Sequence, residues 1–265
     1  MTIPEDLAPA RIQSRLTSRL IGRSLRAVEA IGSTNDAAMA AGHAGEAEGL
    51  AILADRQEHG RGRSGRAWAS LPGLGLYTSI LLRPNVPPRQ APLLTIVAGL
   101  AVTDAIRTVV RLTPSLKWPN DVLLDGRKVA GILTEMATLG QQIKHVVVGI
   151  GINVHHRLSD FPAEARTTAT SIGLTAGRHA ERGEIAVALY GALDRWYTAF
   201  CDGERTAILA EARARTATLG RAVTVLAASE QWRGTALDLD VDGALLVRDE
   251  QGVVRRVLAD DVSIR

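Results

Sequence analysis

Between Asp55 and Trp68 the chain reads Asp-Arg-Gln-Glu-His-Gly-Arg-Gly-Arg-Ser-Gly-Arg-Ala-Trp, so Gly60, Gly62 and Gly65 alternate with Arg61, Arg63 and Arg66. Glycine admits positive φ, which lets successive backbone N–H groups point into one anion-binding concavity. Arginine adds a planar fork that grips phosphate or carboxylate oxygens in pairs. On these residues alone the stretch is either a phosphate-handling loop or a solvated basic loop of the Arg/Gly kind that meets nucleic acid. It is not a nucleotide P-loop, because no Gly-Lys-Ser/Thr follows at the required spacing.

A second group lies at Lys117-Trp-Pro-Asn-Asp121, followed by Lys128 beside the small residues Ala130 and Gly131. A rigid Trp-Pro that delivers Asn120 and Asp121 side by side suits a metal-bound triphosphate, since magnesium takes few protein oxygens and several from phosphate. Taken singly, Lys128 also reads as an exposed hairpin lysine and Asp121 as a turn residue. Asn153 closes an apolar run, Gly149-Ile-Gly-Ile-Asn-Val154. A buried amide needs partners, so it bonds either its own backbone surroundings or a ligand.

These groups need a scaffold, and the hydrophobic pattern supplies one. Ser33 to Asp36 is a polar cap before an alanine-rich helix from Ala37 to Ala41. Residues 49–54, 75–82 and 146–154 read as strands, the last interrupted by its two glycines. Leu93 to Val110 and Glu184 to Phe200 carry apolar residues at helical spacing. Asp125-Gly126 is a hairpin signal between Val122–Leu124 and Val129–Glu135. Residues 8–25 predict one short helix. After Gly220 short β-like segments alternate with turn signals at Asp242-Gly243 and Gln251-Gly252, the mark of a small barrel. The expectation is an α+β chain with a mixed-sheet unit at 1–217 and a β unit at 218–265.

Composition narrows the class. The 265 residues carry 31 basic and 28 acidic side chains, a net charge of +3, too small to name a nucleic-acid partner. Near the basic loop only Trp68 could stack on a base, so a nucleic-acid-binding module ranks far behind and no DNA binding is expected. One cysteine rules out an internal disulfide and suggests a reducing compartment. The start lacks a signal-peptide layout, and no apolar run reaches the ~20 residues that span a bilayer, so a cytoplasmic protein without a membrane partner is expected. The six histidines show no metal-ligand spacing, which argues against a metal hydrolase.

Five segments occur in one order: Gly-Ser-Thr-Asn at 32–35, the loop from Gln57 to Trp68, Lys-Trp-Pro-Asn-Asp at 117–121, Lys-Val-Ala-Gly-Ile-Leu at 128–133 and Gly-Ile-Gly-Ile-Asn-Val at 149–154. In this the chain resembles the biotin–protein ligases, of the type without an N-terminal DNA-binding domain; Ser64 departs from the basic or bulky residue usual at its place. The resemblance implies a mixed-sheet catalytic domain of the biotin/lipoate ligase type with a C-terminal SH3-like β-barrel. It implies biotin as substrate, ATP with Mg²⁺, and a biotin carboxyl carrier domain of a biotin-dependent carboxylase as acceptor. Lipoate–protein ligase is the nearest alternative. Biotin would meet Ser33, Thr34, Asn35, Gln57, Arg61, Gly62, Arg63, Lys128 and Gly131. ATP would meet Arg63, Arg66, Trp68, Lys117, Asn120, Asp121 and Asn153, with Asn120 and Asp121 toward the metal. Lys128, Asp121 and Arg63 would act in the chemistry. Whether the chain is a monomer or a homodimer stays open.

Overall fold

Alternation of side chains along a strand decides what each face of a sheet can do. In the computed structural model, which describes residues 3–227, 231–258 and 262–264, the central sheet has seven strands in the order β1-β2-β3-β7-β6-β5-β4. These are β1 (Leu25–Ile31), β2 (Ala51–Gln57), β3 (Gly75–Leu82), β4 (Ser115–Lys117), β5 (Asp121–Leu124), β6 (Arg127–Leu139) and β7 (Gln142–Asn153). Only β1 and β2 run parallel; the other pairings are antiparallel.

On β7, Val146, Val148, Ile150 and Ile152 join the main core, while Val147 joins a smaller cluster on the opposite face, under α2 (Thr34–His43). Gly149, Gly151 and Asn153 share the parity of Val147 and so lie on that second face. The main core is closed by α3 (Leu93–Val110) and α5 (Arg182–Cys201), with α1 (Pro9–Gln13) and α6 (Arg205–Arg215) at its rim. Helix α3 is apolar over most of its surface because it is wedged between the sheet and α5, and its charged residues, Asp104 and Arg107, lie in its C-terminal half. It belongs to a segment, residues 88–110, long and apolar enough to cross a membrane, but 72% of its apolar window is buried inside the fold.

Several elements match the sequence pattern and some depart from it. Helix α3 has the expected bounds, and Asp125 and Gly126 both take positive φ (48° and 74°), as a two-residue hairpin turn requires. Helix α2 starts earlier than expected, at Thr34, with Ser33 as its N-cap accepting from Asp36 N at 3.4 Å. The helix expected over 8–25 is confined to Pro9–Gln13. Beyond it Asp194 of α5 captures the backbone N–H groups of Arg19, Leu20 and Ile21 at 2.9 Å each, which fixes turns in place of a helix. Strand β7 runs unbroken through its glycines. Helix α6 was not foreseen: only Ile208, Leu209 and Ala212 are buried, so its sequence looks like a polar loop.

The C-terminal β unit is an antiparallel sheet in the order β11-β10-β9-β8-β12, formed by β8 (Ala222–Ala227), β9 (Gln231–Leu239), β10 (Leu245–Asp249), β11 (Val254–Val257) and β12 (Val262–Ile264). Its two turns are built alike. Asp240 Oδ1 accepts from Asp242 N and Ala244 N, and Asp249 Oδ1 accepts from Gln251 N and Val253 N, at 2.9–3.0 Å. Trp118 joins this sheet to the first: its N–H donates to Thr218 Oγ1 at 2.9 Å and its indole N–H to Gly243 O at 3.0 Å.

The charged frame is buried. Arg182 at the start of α5 is 3% exposed, grips both oxygens of Asp6 at 2.9 Å and reaches Asp55 Oδ1 at 2.5 Å. Asp55 also accepts from Gly73 N at 3.0 Å, so one guanidinium ties the N-terminal segment to β2 and the turn before β3. Breaking a buried pair strands the remaining charges, whereas an exposed pair contributes little. Arg182→Ala is therefore expected to lower stability by about 3–5 kcal/mol in urea unfolding. Arg15→Ala, which removes the exposed pair with Glu184, is expected to change it by less than about 1 kcal/mol.

Candidate active site

The second face of the sheet has little side-chain volume where β6 and β7 meet. Gly131 pairs directly with Gly151, and Gly149 stands opposite Leu133. Two polar side chains from distant segments occupy the bared surface. The Asn35 amide lies on Gly149, where a Cβ would overlap its oxygen. The Trp68 indole lies across the glycine pair, so a Cβ on Gly131 or Gly151 would come within 2.9 Å or 2.6 Å of the ring. These glycines are required for space rather than for backbone conformation.

The Arg/Gly stretch forms a tight hairpin over this surface. Arg61 bridges Ala67, Gly62 N donates to Arg66 O at 2.7 Å, and Ser64 takes a left-handed φ of 55° at the tip. Trp68 N donates to Gly60 O at 2.8 Å and closes the base. Arg61 turns outward to Asp36 (2.5 Å) and Glu135 (3.1 Å), while Arg63 donates to Asn120 Oδ1 at 3.3 Å.

Below the hairpin lies a cavity of about 690 Å³. The candidate ligand-contact residues all line it: Ser33, Thr34, Asn35, Gln57, Arg61, Gly62, Arg63, Arg66, Trp68, Lys117, Asn120, Asp121, Lys128, Gly131 and Asn153. One group of lining residues is uncharged. Gln57 Oε1 accepts from Thr34 N (2.8 Å) and Thr34 Oγ1 (3.0 Å), and its Nε2 donates to Ser70 Oγ at 2.9 Å. A second group carries charge and includes one carboxylate. Lys128 Nζ stands 2.6 Å from Asp121 Oδ1 and 5.2 Å from the Trp68 ring centre. Asp121 and Lys128 lie on adjacent strands whose register shifts between Val122 and Leu123.

The far wall comes from a segment the sequence did not flag, with His156, Phe161, Pro162, Ala165 and residues 167–169. It adds a short parallel bridge to β6: Lys128 N donates to Thr168 O at 2.7 Å and Thr170 N to Lys128 O at 2.8 Å. Asn153 Nδ2 donates to Thr170 O at 3.0 Å, so the amide fastens this wall and is itself 5% exposed. His156 stacks on Phe161 with ring centres 5.1 Å apart. Burial pushes its pKa down to about 4, with Asp160 pulling weakly the other way. The wall is thus neutral at physiological pH. Ser79 and Glu135, also unflagged, complete the polar lattice behind Asn35. No local pattern could have found them, because their partners lie 44 and 100 residues away.

Comparison with known proteins gives this cavity a context. Residues 28–153 match the Biotin/lipoate A/B protein ligase family, and residues 218–265 match the Biotin protein ligase C terminal domain. The chain is 34% identical to the biotin–[acetyl-CoA-carboxylase] ligase of Mycobacterium tuberculosis, over 99% of this chain and 98% of that protein. It is 31% identical to the bifunctional ligase/repressor BirA of Bacillus spizizenii, over 97% of this chain and 79% of that protein. Its fold superposes on a biotin protein ligase from Aquifex aeolicus in complex with biotin and ATP with a TM-score of 0.79 and 30% identity, covering 92% and 99% of the two chains.

Two outcomes follow from the geometry. Gly151→Ala forces Trp68 from its seat and is expected to cost about 1–3 kcal/mol. Most of that cost should vanish when Trp68→Ala is combined with it, as a double-mutant cycle in thermal unfolding would register. His156 binds its proton less readily folded than unfolded, where its pKa is near 6.5. Its contribution is therefore intact above about pH 6.5 and lost as pH falls toward about 4, by at most about 3 kcal/mol. His156→Phe should flatten that part of the stability–pH curve.

Proposed function

The chain belongs to the biotin protein ligase family, and from that membership we propose which of its residues carry each step. As a biotin–[acetyl-CoA-carboxylase] ligase it activates biotin with ATP to biotinyl-5′-AMP and transfers the biotinyl group to a carrier protein. The observation that carries the assignment of roles is the make-up of the cavity lining: neutral hydroxyl and amide groups at Ser33, Thr34 and Gln57, and cations at Arg63, Arg66, Lys117 and Lys128, the last paired with Asp121.

Ser33, Thr34 and Gln57 face the ureido ring, since hydroxyl and amide groups donate or accept as required. Arg61, Gly62 and Arg63 bring the hairpin backbone over it, and Asn35 supports the set from below. The tail runs toward Lys128 past the Trp68 ring that covers Gly131 and Gly151. There the biotin carboxylate oxygen attacks the α-phosphorus of ATP and the bond to the β-phosphate bridge breaks, releasing pyrophosphate. Lys128 offsets the repulsion between carboxylate and phosphate and stabilises charge developing on the phosphorane oxygens. Asp121, 2.6 Å away, orients that ammonium. Arg63, Arg66 and Lys117 hold the phosphates, and Trp68 lies between tail and nucleotide. Asn153 positions the nucleotide indirectly, through the wall it fastens.

No group of three His, Cys, Asp or Glu side chains able to hold a metal occurs among the described residues. A magnesium ion accompanying the nucleotide would draw most of its ligands from phosphate and water, its usual habit. Asp121 and Asn120, one carboxylate and one amide carbonyl, fit an ion delivered by the nucleotide, and once bound it would neutralise the phosphate chain.

In the second half-reaction a neutral lysine amine of the acceptor attacks the acyl carbon, the bond to AMP breaks and an amide forms. We take the acceptor to be a biotin carboxyl carrier domain of a biotin-dependent carboxylase, and the compartment to be the cytoplasm. Residues 1–217 would carry both half-reactions. Residues 218–265 would cover the mouth, where Leu226 already lines the cavity.

The test is transfer of labelled biotin with MgATP to a purified apo carrier domain, beside a parallel lipoate reaction. Lys128→Ala is expected to slow adenylate formation about 10²–10³-fold. A variant as fast as wild type would remove Lys128 from the chemistry, and transfer of lipoate in place of biotin would reassign the substrate.

A further inference from the structure

The three arginines of the hairpin are not equivalent. Arg61 carries its charge away from the cavity, onto Asp36 at 2.5 Å and both oxygens of Glu135 at 3.1 Å. Asp36 is largely exposed, with 61% of its side chain open to solvent, against 30% for Glu135. Glu135 also does something Asp36 does not: its Oε2 accepts from Asn35 Nδ2 at 2.6 Å.

Asn35 is fully engaged. Its other amide hydrogen reaches Leu133 O at 3.3 Å, and its Oδ1 accepts from Ser79 Oγ at 2.6 Å. Thr34 is adjacent in the chain, and its hydroxyl lies 2.7 Å from the same Ser79 oxygen. Thr34 in turn meets Gln57, Gln57 meets Ser70, and Ser70 donates to Trp68 O at 3.2 Å. A single polar chain therefore leaves the hairpin at Arg61, crosses the sheet through Glu135, Asn35, Ser79, Thr34 and Gln57, and re-enters at Trp68. Glu135 is its one carboxylate link between the exposed arginine and the buried amides.

From this circuit we propose that Glu135 is a positioning residue, which locks the Arg/Gly hairpin over the bound biotinyl group by coupling Arg61 to Asn35. It rests on the biotin–ATP reading above, because that reading makes the hairpin the cover of the acyl-adenylate. Glu135 touches no reacting atom. Its carboxylate sets how tightly the cover closes, and so sets both biotin affinity and the retention of an intermediate that water destroys. The charge matters because a carboxylate accepts from Arg61 and Asn35 together, with charge-assisted strength. A glutamine keeps one acceptor oxygen and loses the charge.

The experiment compares wild type, Glu135→Gln, Glu135→Ala and Arg61→Leu for biotin KM, kcat of transfer and escape of labelled biotinyl-5′-AMP from the enzyme. Glu135→Ala is expected to raise KM for biotin about tenfold while kcat at saturating biotin and acceptor falls less. It should also release adenylate to solution faster than wild type, with Glu135→Gln in between. Arg61→Leu removes the arginine end of the circuit and leaves Glu135 in place, so it reports even where a change at Glu135 prevents folding, and it should reproduce the KM rise. Wild-type KM and adenylate retention in Glu135→Ala, or in Arg61→Leu, would overturn the inference in an enzyme that transfers biotin. A wild-type protein that transfers no biotin would overturn the reading on which it rests.

Discussion

The site depends on a patch of sheet without side chains. Strand alternation sends Val146, Val148, Ile150 and Ile152 into the main core and leaves positions 149, 151 and 153 on the opposite face. On β6 the same parity puts Gly131 beside Gly151. Three glycines thus make a shallow floor between two paired, immovable backbones. Everything above is fitted to that floor: Asn35 rests on Gly149, and Trp68 spans the other two. Because a sheet interior does not yield as a loop does, one methyl group on the floor is transmitted to the loop above. The Gly-Ile-Gly-Ile-Asn motif therefore states a steric requirement on its glycines and a polar one on its asparagine, which holds the cavity wall through Thr170.

A rigid floor needs a rigid support, and the chain builds it from aliphatic packing and a few buried charges. With aromatics at 3%, close packing falls to Val, Leu, Ile and Ala, and α3 and α5 press these against the far face of the sheet. Arg182 and Asp194, both on α5, then fasten the irregular N-terminal segment that no repeating backbone ladder could hold. Trp118 performs the corresponding task toward the C-terminal sheet, one residue before the Pro-Asn-Asp stretch that enters the cavity. The position of Asn120 and Asp121 is thereby set by contacts to both sheets.

Much of this was legible in the sequence because it is local. Periodicity gave α3 within its observed bounds, and the Asp125-Gly126 turn follows from the φ values it needs. The five motifs supplied the residue types that line the cavity. What they could not supply is who holds whom. Nothing near Trp68 says that its ring rests on Gly131 and Gly151, and Asn35 and Glu135 are 100 residues apart. Helix α6 escaped notice because only three of its residues are buried, too few to leave an apolar stripe. The wall from His156 to Ala169 escaped because its contribution is made by backbone pairing with Lys128, which carries no side-chain signature.

The electrostatics resolve an ambiguity that net charge left open. The Arg/Gly loop by itself admits a phosphate-handling role or a solvated or nucleic-acid-binding surface, and a net charge of +3 weighs against nucleic acid without saying where the arginines point. In the folded protein Arg61 is neutralised by Asp36 and Glu135, and Arg63 leans toward Asn120 inside the cavity rather than onto an open face. A nucleic-acid surface would spread its cations along a groove. Here the arginines and lysines at 63, 66, 117 and 128 line one pocket together with Asp121, a neutral histidine and a set of hydroxyls and amides. Such a lining offers hydroxyl and amide partners to an uncharged ring and cations to phosphates. On the proposed reading, a molecule neutral at its head and anionic at its tail is favoured in the orientation that brings its carboxylate to Lys128, the lysine that Asp121 holds.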